Sequence, residues 1–508
     1  MTNFTRRTAI AVGLALIAIQ PVLAQGNKVL TIGSAFSPVS LDPSLSGNGR
    51  AGMALVPAYE PLVRVTPDGK FRPALATAWE MAPDSKSVTF TIRTDAKFSD
   101  GDAVTADTVK KSIEYFRAKK GPFSTNLATV TSIDVLDGNR IKISVASPQP
   151  ALINLFETYW NGGLIISPKG VDSPDLLPKE TRGAGPYKLD PAATISGKSY
   201  TYVPNEHYYD KSRIKWDKIV ISVFEDQNSG IQAMKSGQLK LLSSDPLTGN
   251  ANAANLPADL RIVSDAVAWT GLILTDRDGE VQPYLKDVRV RQAINYALDR
   301  KLINKALFGA YADPTVQLQS KGFLGYDEAN EARYPYDPVK AKELLTAAGY
   351  PDGFELKVSY VNNTLSQFLQ QAISGQLRKV GITVKPMEAQ NFGALLSMSA
   401  NKTYAASVLN SNSGIPNLAK FQTLDPKGSF NQYGSKDETL TKLMDEASNL
   451  PMDKAGDAWK RVYKQVVDLA WFAPISAVHV VYFASNTIKT PAIGQSIVLE
   501  LTDIEPAQ

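Results

Sequence analysis

The sequence predicts an α/β protein of two or more lobes. Three observations carry that expectation. Phe354, Leu356, Val358 and Tyr360 alternate as a strand, Phe368, Ala372, Ile373 and Leu377 follow at helical spacing, and Gly381 leads into Ile382-Thr383-Val384. Strand, helix and strand of these lengths make a βαβ unit with a parallel pair. Elsewhere the period switches again: Val88, Phe90 and Ile92 alternate, and Ile133 to Leu136 and Ile141 to Val145 form a hairpin around Asp137-Gly138. The chain has 508 residues, 44% apolar and 20% charged, which suits a soluble globular protein with several packed lobes. No internal repeat or long low-complexity run interrupts it.

Taken in order, the chain opens with Arg6-Arg7, an apolar run to Ile19 and Gln20-Pro21-Val22-Leu23-Ala24. That is the layout of a cleaved secretory signal over residues 1–24, since the run is too short for a spanning helix of ~20 residues. The Arg pair resembles a twin-arginine signal, although the residues after it depart from that pattern. No cysteine is available for a lipid anchor, so the expected location is free periplasm. Between Ala74 and Ser112 the chain reads as an aromatic-anchored segment, a strand, an Asp100-Gly101 turn and a helix capped by Thr105 with Val109 and Ile113 on one face. Asp287 can cap a helix whose face is Val290, Ala293, Ile294, Ala297 and Leu298. Asp337-Pro338 opens another, carrying Ala341, Leu344 and Leu345 and closed by Gly349.

Composition narrows the chemistry. Net charge is +4, or +2 without Arg6 and Arg7, too little to argue for nucleic acid or an anionic membrane. Zero cysteines exclude thiol catalysis and thiolate metal sites, and two histidines, His207 and His479, cannot build a His-rich metal site. No cofactor or metal is expected. Ala192 to Ser199 ends like a phosphate-binding loop, but Ala192 replaces the first glycine and no strong strand precedes it, so an exposed loop is the better reading. Adjacent Glu225 and Asp226 read as a solvated loop rather than a catalytic pair. Trp79, Trp160, Trp216, Trp269 and Trp471 read first as core residues.

One resemblance goes further. Trp79, Asp84, Phe90, Ile92, Arg93, Phe98, Asp100, Gly101, Thr105, Ala106 and Asp107 follow the pattern W-x(4)-D-x(5)-F-x-[LI]-R-x(4)-F-x-D-G-x(3)-T-A-x-D-V, with Thr108 departing just before Val109. Gly183-Ala184-Gly185-Pro186-Tyr187, Asn205 to Tyr209, Met234 to Leu239, Asp287 to Ala293 and Tyr336 to Tyr350 continue the likeness. The chain resembles the dipeptide/oligopeptide/nickel class, family 5, of bacterial solute-binding proteins. The resemblance implies a type II, cluster C fold of two α/β lobes with an extra domain inserted in the first. It places lobe I at residues 26–50, 185–272 and 481–508, the extra domain at 51–184 and lobe II at 273–480. It also implies a monomeric, non-enzymatic receptor that delivers a small organic solute to the permease and ATPase subunits of an importer, without inserting in the membrane. A secreted hydrolase, and a sensory or chaperone module on the same fold, are the other readings.

In that family, ligand contacts come from a loop near the mature N-terminus, segments flanking the hinge and a loop of the second lobe. Here these are Phe36 to Gly49, the neighbourhood of Trp269, Asn391-Phe392 and Asn410 to Pro416. The expected ligand contacts are Asn48, Trp269, Asn391, Phe392, Asn410 and Asn412; each asparagine is also a common turn residue. Peptide-binding members hold the peptide ammonium with an aspartate in the second-lobe loop. Thr403 to Leu424 contains neither Asp nor Glu, and 408–413 reads VLNSNS. The expected solute is therefore opine-like or sugar-derived, with a di- or oligopeptide as the alternative.

Overall fold

The computed structural model describes residues 28–507 apart from 36, 47–51, 120, 122, 413–419 and 429. The expected signal segment and Asn48 lie outside the described residues. Among those described, no helix is long and apolar enough to cross a membrane.

Two long strands organise the molecule: Leu260–Leu274 and Phe472–Ser485, which pair antiparallel along almost their whole length. At one end, 241–244 pairs with 481–484, followed by Val29–Ser34, Lys218–Val223, Ser199–Pro204 and Tyr187–Leu189. At the other end, 268–274 pairs with Ala406–Asn412, followed by Phe354–Val361 and Ile382–Ala389. The outer strands on each side include parallel pairs, while the long strands are antiparallel to their neighbours. The chain leaves Leu274 and returns at Phe472, and the strands it forms in between pair at this end, apart from Ala312–Pro314, which pairs with 476–478. Both strands run continuously past 272 and 480, the expected lobe boundaries, so no break in secondary structure marks those positions. The register shifts between Ala266 and Ala268, and again between Thr270 and Gly271. Such bulges twist and bend a ladder locally, and they sit just before the expected boundary at 272. Gly271 is needed for space: a Cβ there would stand 2.5 Å from the Ala473 carbonyl oxygen.

Local signals explain most elements. The antiparallel sheet of Ala76–Met81, Ser87–Ile92, Arg140–Val145 and Val130–Leu136 has its own core with helix Ala106–Ala118, including Val88, Phe90, Val109, Ile113 and Ile141. Thr105 caps that helix, and Thr108, which departs from the family pattern, completes the box: its Oγ1 accepts the Thr105 N–H at 2.9 Å. Asn139 ties hairpin to helix, accepting the Ala106 N–H at 2.7 Å. The βαβ unit forms as expected, with Phe354–Val361 parallel to Ile382–Ala389 and helix Thr364–Arg378 between them. Of its expected face, Ile373 and Leu377 are fully buried and Ala372 is half-buried, but Phe368 is 45% exposed and Leu369 takes its place in the core. Asp226 is exposed as expected, but it caps the helix Gln227–Lys235 rather than lying in an extended loop.

A buried ionic cluster ties residues 60–72 to Arg213 and to 500–503. Arg64 and Glu60 pair at 2.8 Å with both side chains fully buried, and Arg64 reaches Glu500 at 2.6 Å. Arg213 and Arg72 each meet Asp503 at 2.5 Å, and Tyr208 and Tyr209 donate to Glu60. Burial alone would raise the Glu60 carboxyl, but Arg64 and Arg213 outweigh it and hold it below its ordinary value. Nearby, Gly183 and Gly185 run hard against the backbone of 57–58, where a Cβ on Gly183 would come 2.2 Å from the Ala58 carbonyl oxygen. That close approach explains the glycines of the Gly183-to-Tyr187 motif.

Candidate solute-binding cleft

The strand Ala406–Asn412 carries two of the expected contacts to the rim of the second lobe. Its pairing with the long strand sets Asn410 opposite Thr270, Ser411 opposite Trp269 and Asn412 opposite Ala268. Residues 406–409 are buried, Asn410 is exposed, and Ser411 and Asn412 are half-buried. The Asn412 Nδ2 donates to the hydroxyl of Tyr159, on the opposite wall.

The other expected residues serve the scaffold as well. Trp269 is 2% exposed and meets Phe472 edge-on at 5.6 Å, so it stands in the second-lobe core. Asn391 caps helix Phe392–Ala400 by accepting the Ala394 N–H at 2.9 Å. Phe392 is half exposed and leans on Phe430 at 5.8 Å, and Phe430 shares a core cluster with Trp269 and Leu409. Near the N-terminus, Asp42 organises the described part of the expected loop. It accepts the Ser44 N–H at 2.8 Å and the Tyr115 hydroxyl at 2.6 Å.

Sequence reasoning did not single out the segment that faces Asn412. Leu152–Phe156 forms a short helical turn, and the chain then runs Glu157-Thr158-Tyr159-Trp160-Asn161-Gly162-Gly163. Gly163 lets it fold back: a Cβ there would stand 1.8 Å from the Phe156 carbonyl oxygen. The Gly-Gly pair after an aromatic run was the available signal. Tyr159 and Trp160 stack edge-on at 4.9 Å. Glu157 is 6% exposed and accepts the Tyr159 N–H at 2.8 Å. Burial, helped by the Glu500 charge, pushes its carboxyl from the ordinary 4.5 up to about 8, against the pull of the Tyr159 and Trp160 N–H groups.

Glu157 and Tyr159 line a cavity of about 620 Å³, together with Phe71 and Trp79 on their own side and Phe323 and Tyr326 on the second-lobe side. A larger cavity of about 800 Å³ lies beside the long strands at Ala266 and Ala477. Its ionic groups Glu331 and Arg300 already have partners, although the Gln319 side-chain oxygen in its wall has none among the described residues. Glu331 accepts from Thr315, Val316 and Gln317, and Arg300 donates to the carbonyls of Asn295, Thr315 and Pro474. Among the described residues no group of three or more His, Cys, Asp or Glu side chains could hold a metal.

Two lobes with polar side chains meeting across the gap form a receptor's architecture, and the comparison with known families agrees. Residues 70–430 match the model of the bacterial extracellular solute-binding proteins, family 5 Middle. The chain belongs to family 5. Its members are solute-binding receptors, not enzymes, that work with the permease and ATPase of ABC importers. This family 5 receptor is 26% identical over 494 residues to the glutathione-binding protein GsiB of Salmonella typhi, covering 93% of its own chain and 92% of the relative. Its fold matches the binding protein AgaA of A. tumefaciens R10, solved with agropinic acid: TM-score 0.75, 24% identity, 94% of this chain and 99% of that one. It also matches DppA of Helicobacter pylori, solved with the peptide STSA: TM-score 0.76, 21% identity, 95% and 99%.

Proposed function

We propose that this receptor captures an opine-like or sugar-derived solute between its lobes rather than a free peptide. The observation that carries the reading is the chemistry of the second-lobe rim. Residues 403–424 contain no carboxylate, and the strand there ends in Asn410, Ser411 and Asn412. Neutral amides and hydroxyls suit the hydroxyl and carboxylate groups of such a solute, whereas a desolvated peptide ammonium needs a counter-charge. AgaA, with agropinic acid bound, supports the comparison. One observation favours the second reading, a di- or oligopeptide: Glu157 supplies an acid from the other wall. Capture works by population shift, because a solute touching both lobes favours the closed arrangement. The export signal expected at residues 1–24 and a monomeric state complete the proposal. Mass spectrometry of what co-purifies with the mature protein, followed by calorimetry against di- and tripeptides and their N-acetylated forms, tests the solute class. Tight binding confined to free-amine peptides overturns the first reading.

A further inference from the structure

We infer that the cavity containing Glu157 is a receiving site for an organic cation, a protonated amine or a guanidinium, with the Glu157 carboxylate as its counter-charge and the surrounding aromatic rings as its walls. This rests on the receptor reading, but not on which solute is carried.

Three independent observations converge on it. First, Glu157 is buried without an ionic partner. Among the described residues no Lys, Arg or His stands within ion-pair distance of its carboxylate. The two lysines in the cavity wall are engaged elsewhere: Lys70 pairs with Asp68 at 2.8 Å and is 81% exposed, and Lys460 pairs with Asp457 at 3.5 Å. A solitary carboxyl in a fold is costly when ionised. A purely structural acceptor for the Tyr159 and Trp160 N–H groups needs no acid, since the two lone pairs of an amide oxygen would serve. Second, the walls are aromatic. Phe71 and Trp79 meet edge-on at 6.3 Å, and Tyr159, Phe323 and Tyr326 also line the space. Aromatic faces attract a desolvated cation, and a carboxylate among rings is the chemistry that recognises ammonium and guanidinium groups. Third, the walls come from both sides of the cleft, 65–79 and 154–159 on one and 322–326 and 452–460 on the other. The volume of about 620 Å³ suits a small organic ligand. Tyr159 both lines this space and meets Asn412, so a cation held here sits next to the rim where the rest of a solute would lie.

The raised pKa of Glu157 gives the site a signature. At pH 7 the empty site holds a neutral carboxyl, so binding a cation ionises it and releases one proton to the buffer. The other charged or titratable groups at the site are Lys70, Asp453, Lys460, Tyr159 and Tyr326 in the wall, with Glu500 acting at a distance to oppose ionisation.

The test uses phenethylammonium and its neutral isostere 2-phenylethanol, titrated by calorimetry into the wild-type mature protein and Glu157→Gln. The amide oxygen introduced by that change can still accept the Tyr159 N–H, which keeps the loop folded, and circular dichroism and melting curves verify it. We expect saturable binding of phenethylammonium, at least about tenfold weaker in E157Q and at least about tenfold weaker for the alcohol. We also expect a heat that varies with buffer ionisation enthalpy at pH 7 in the wild type and not in the variant. Equal affinity in E157Q, or no saturable binding by the wild type up to ~10 mM, overturns the cation site. Scattering with the co-purified solute judges the receptor reading separately. Compaction with an unaltered E157Q titration leaves the receptor standing without the cation site, and cation binding without compaction under any solute does the reverse.

Discussion

Asn412 and Tyr159 are 253 residues apart in sequence, yet their side chains hydrogen-bond across the cleft, the Asn412 amide donating to the Tyr159 hydroxyl. The bond links the end of a second-lobe strand to the fold-back segment of the opposite wall. A bond between the two walls favours the arrangement in which they approach.

Tyr159→Phe should therefore shift the unliganded protein towards the open form. Small-angle scattering should show a larger radius of gyration for the variant without solute and the same compact value at saturation. Asn412→Ala should do likewise, and the double variant should add little to either single change. Fully additive effects would show that the two residues act independently.

Trp269 belongs to the second-lobe core, at 2% exposure against Phe472. Trp269→Ala should cost about 3–5 kcal/mol of stability in chemical denaturation. Trp269→Phe should recover a good part of that loss, because a ring still fills the site. An alanine variant as stable as the wild type would place the ring outside the core.

Glu60 and Asp503 are both held below their ordinary carboxyl values by the arginines around them, despite a burial that acts the other way. For depressed carboxyls the stabilisation is present above the unfolded values, 4.5 and 3.8, and is lost as pH falls through the folded ones. Glu60→Gln should cost about 1–3 kcal/mol at pH 7, where it leaves Arg64 with Glu500 and Arg213 with Asp503 as their remaining acidic partners. The gap to wild type should narrow as the pH drops below about 4. A gap constant from pH 7 to pH 3 would mean that the cluster is not ionic.

Glu157 should show the opposite sign. Its folded value of about 8 exceeds the ordinary 4.5, so between these limits the native state binds the extra proton and wild-type stability falls as pH rises. Glu157→Gln removes that slope. Its melting temperature should gain on the wild type from pH 5 to pH 8.5, and parallel curves would refute the perturbed carboxyl.

Gly271→Ala should be disproportionately costly for so small a change. The new methyl would meet backbone at 2.5 Å from Ala473, 2.7 Å from Pro474 and 2.8 Å from Ile475, none of which can rotate away. A loss of about 1–3 kcal/mol is expected in urea unfolding. A neutral effect would mean that the two long strands can part locally at this crossing.

What the sequence determined by itself is everything set by short-range physics. The cap at Thr105, the Asp100-Gly101 turn with its φ of +88°, the helices opened by Asp287 and Asp337 and the parallel strands around 354–384 depend on residues a few positions apart. The dense motif between Trp79 and Asp107 was enough to reach the family. Periodicity is coarser than that, since it placed Ile373 and Leu377 in the core but not which neighbour begins the buried face. Packing against the sheet chose Leu369 over Phe368. Asn410 and Asn412 stood out in the sequence as polar residues of an expected loop, but the partner of Asn412 did not, because a contact across a cleft depends on the register of two distant segments. Glu157 was invisible for the same reason. A carboxyl's charge state depends on its burial and on which cations pair with it, and the tertiary structure alone buried this one beside aromatic rings with no ion-pair partner among the described residues.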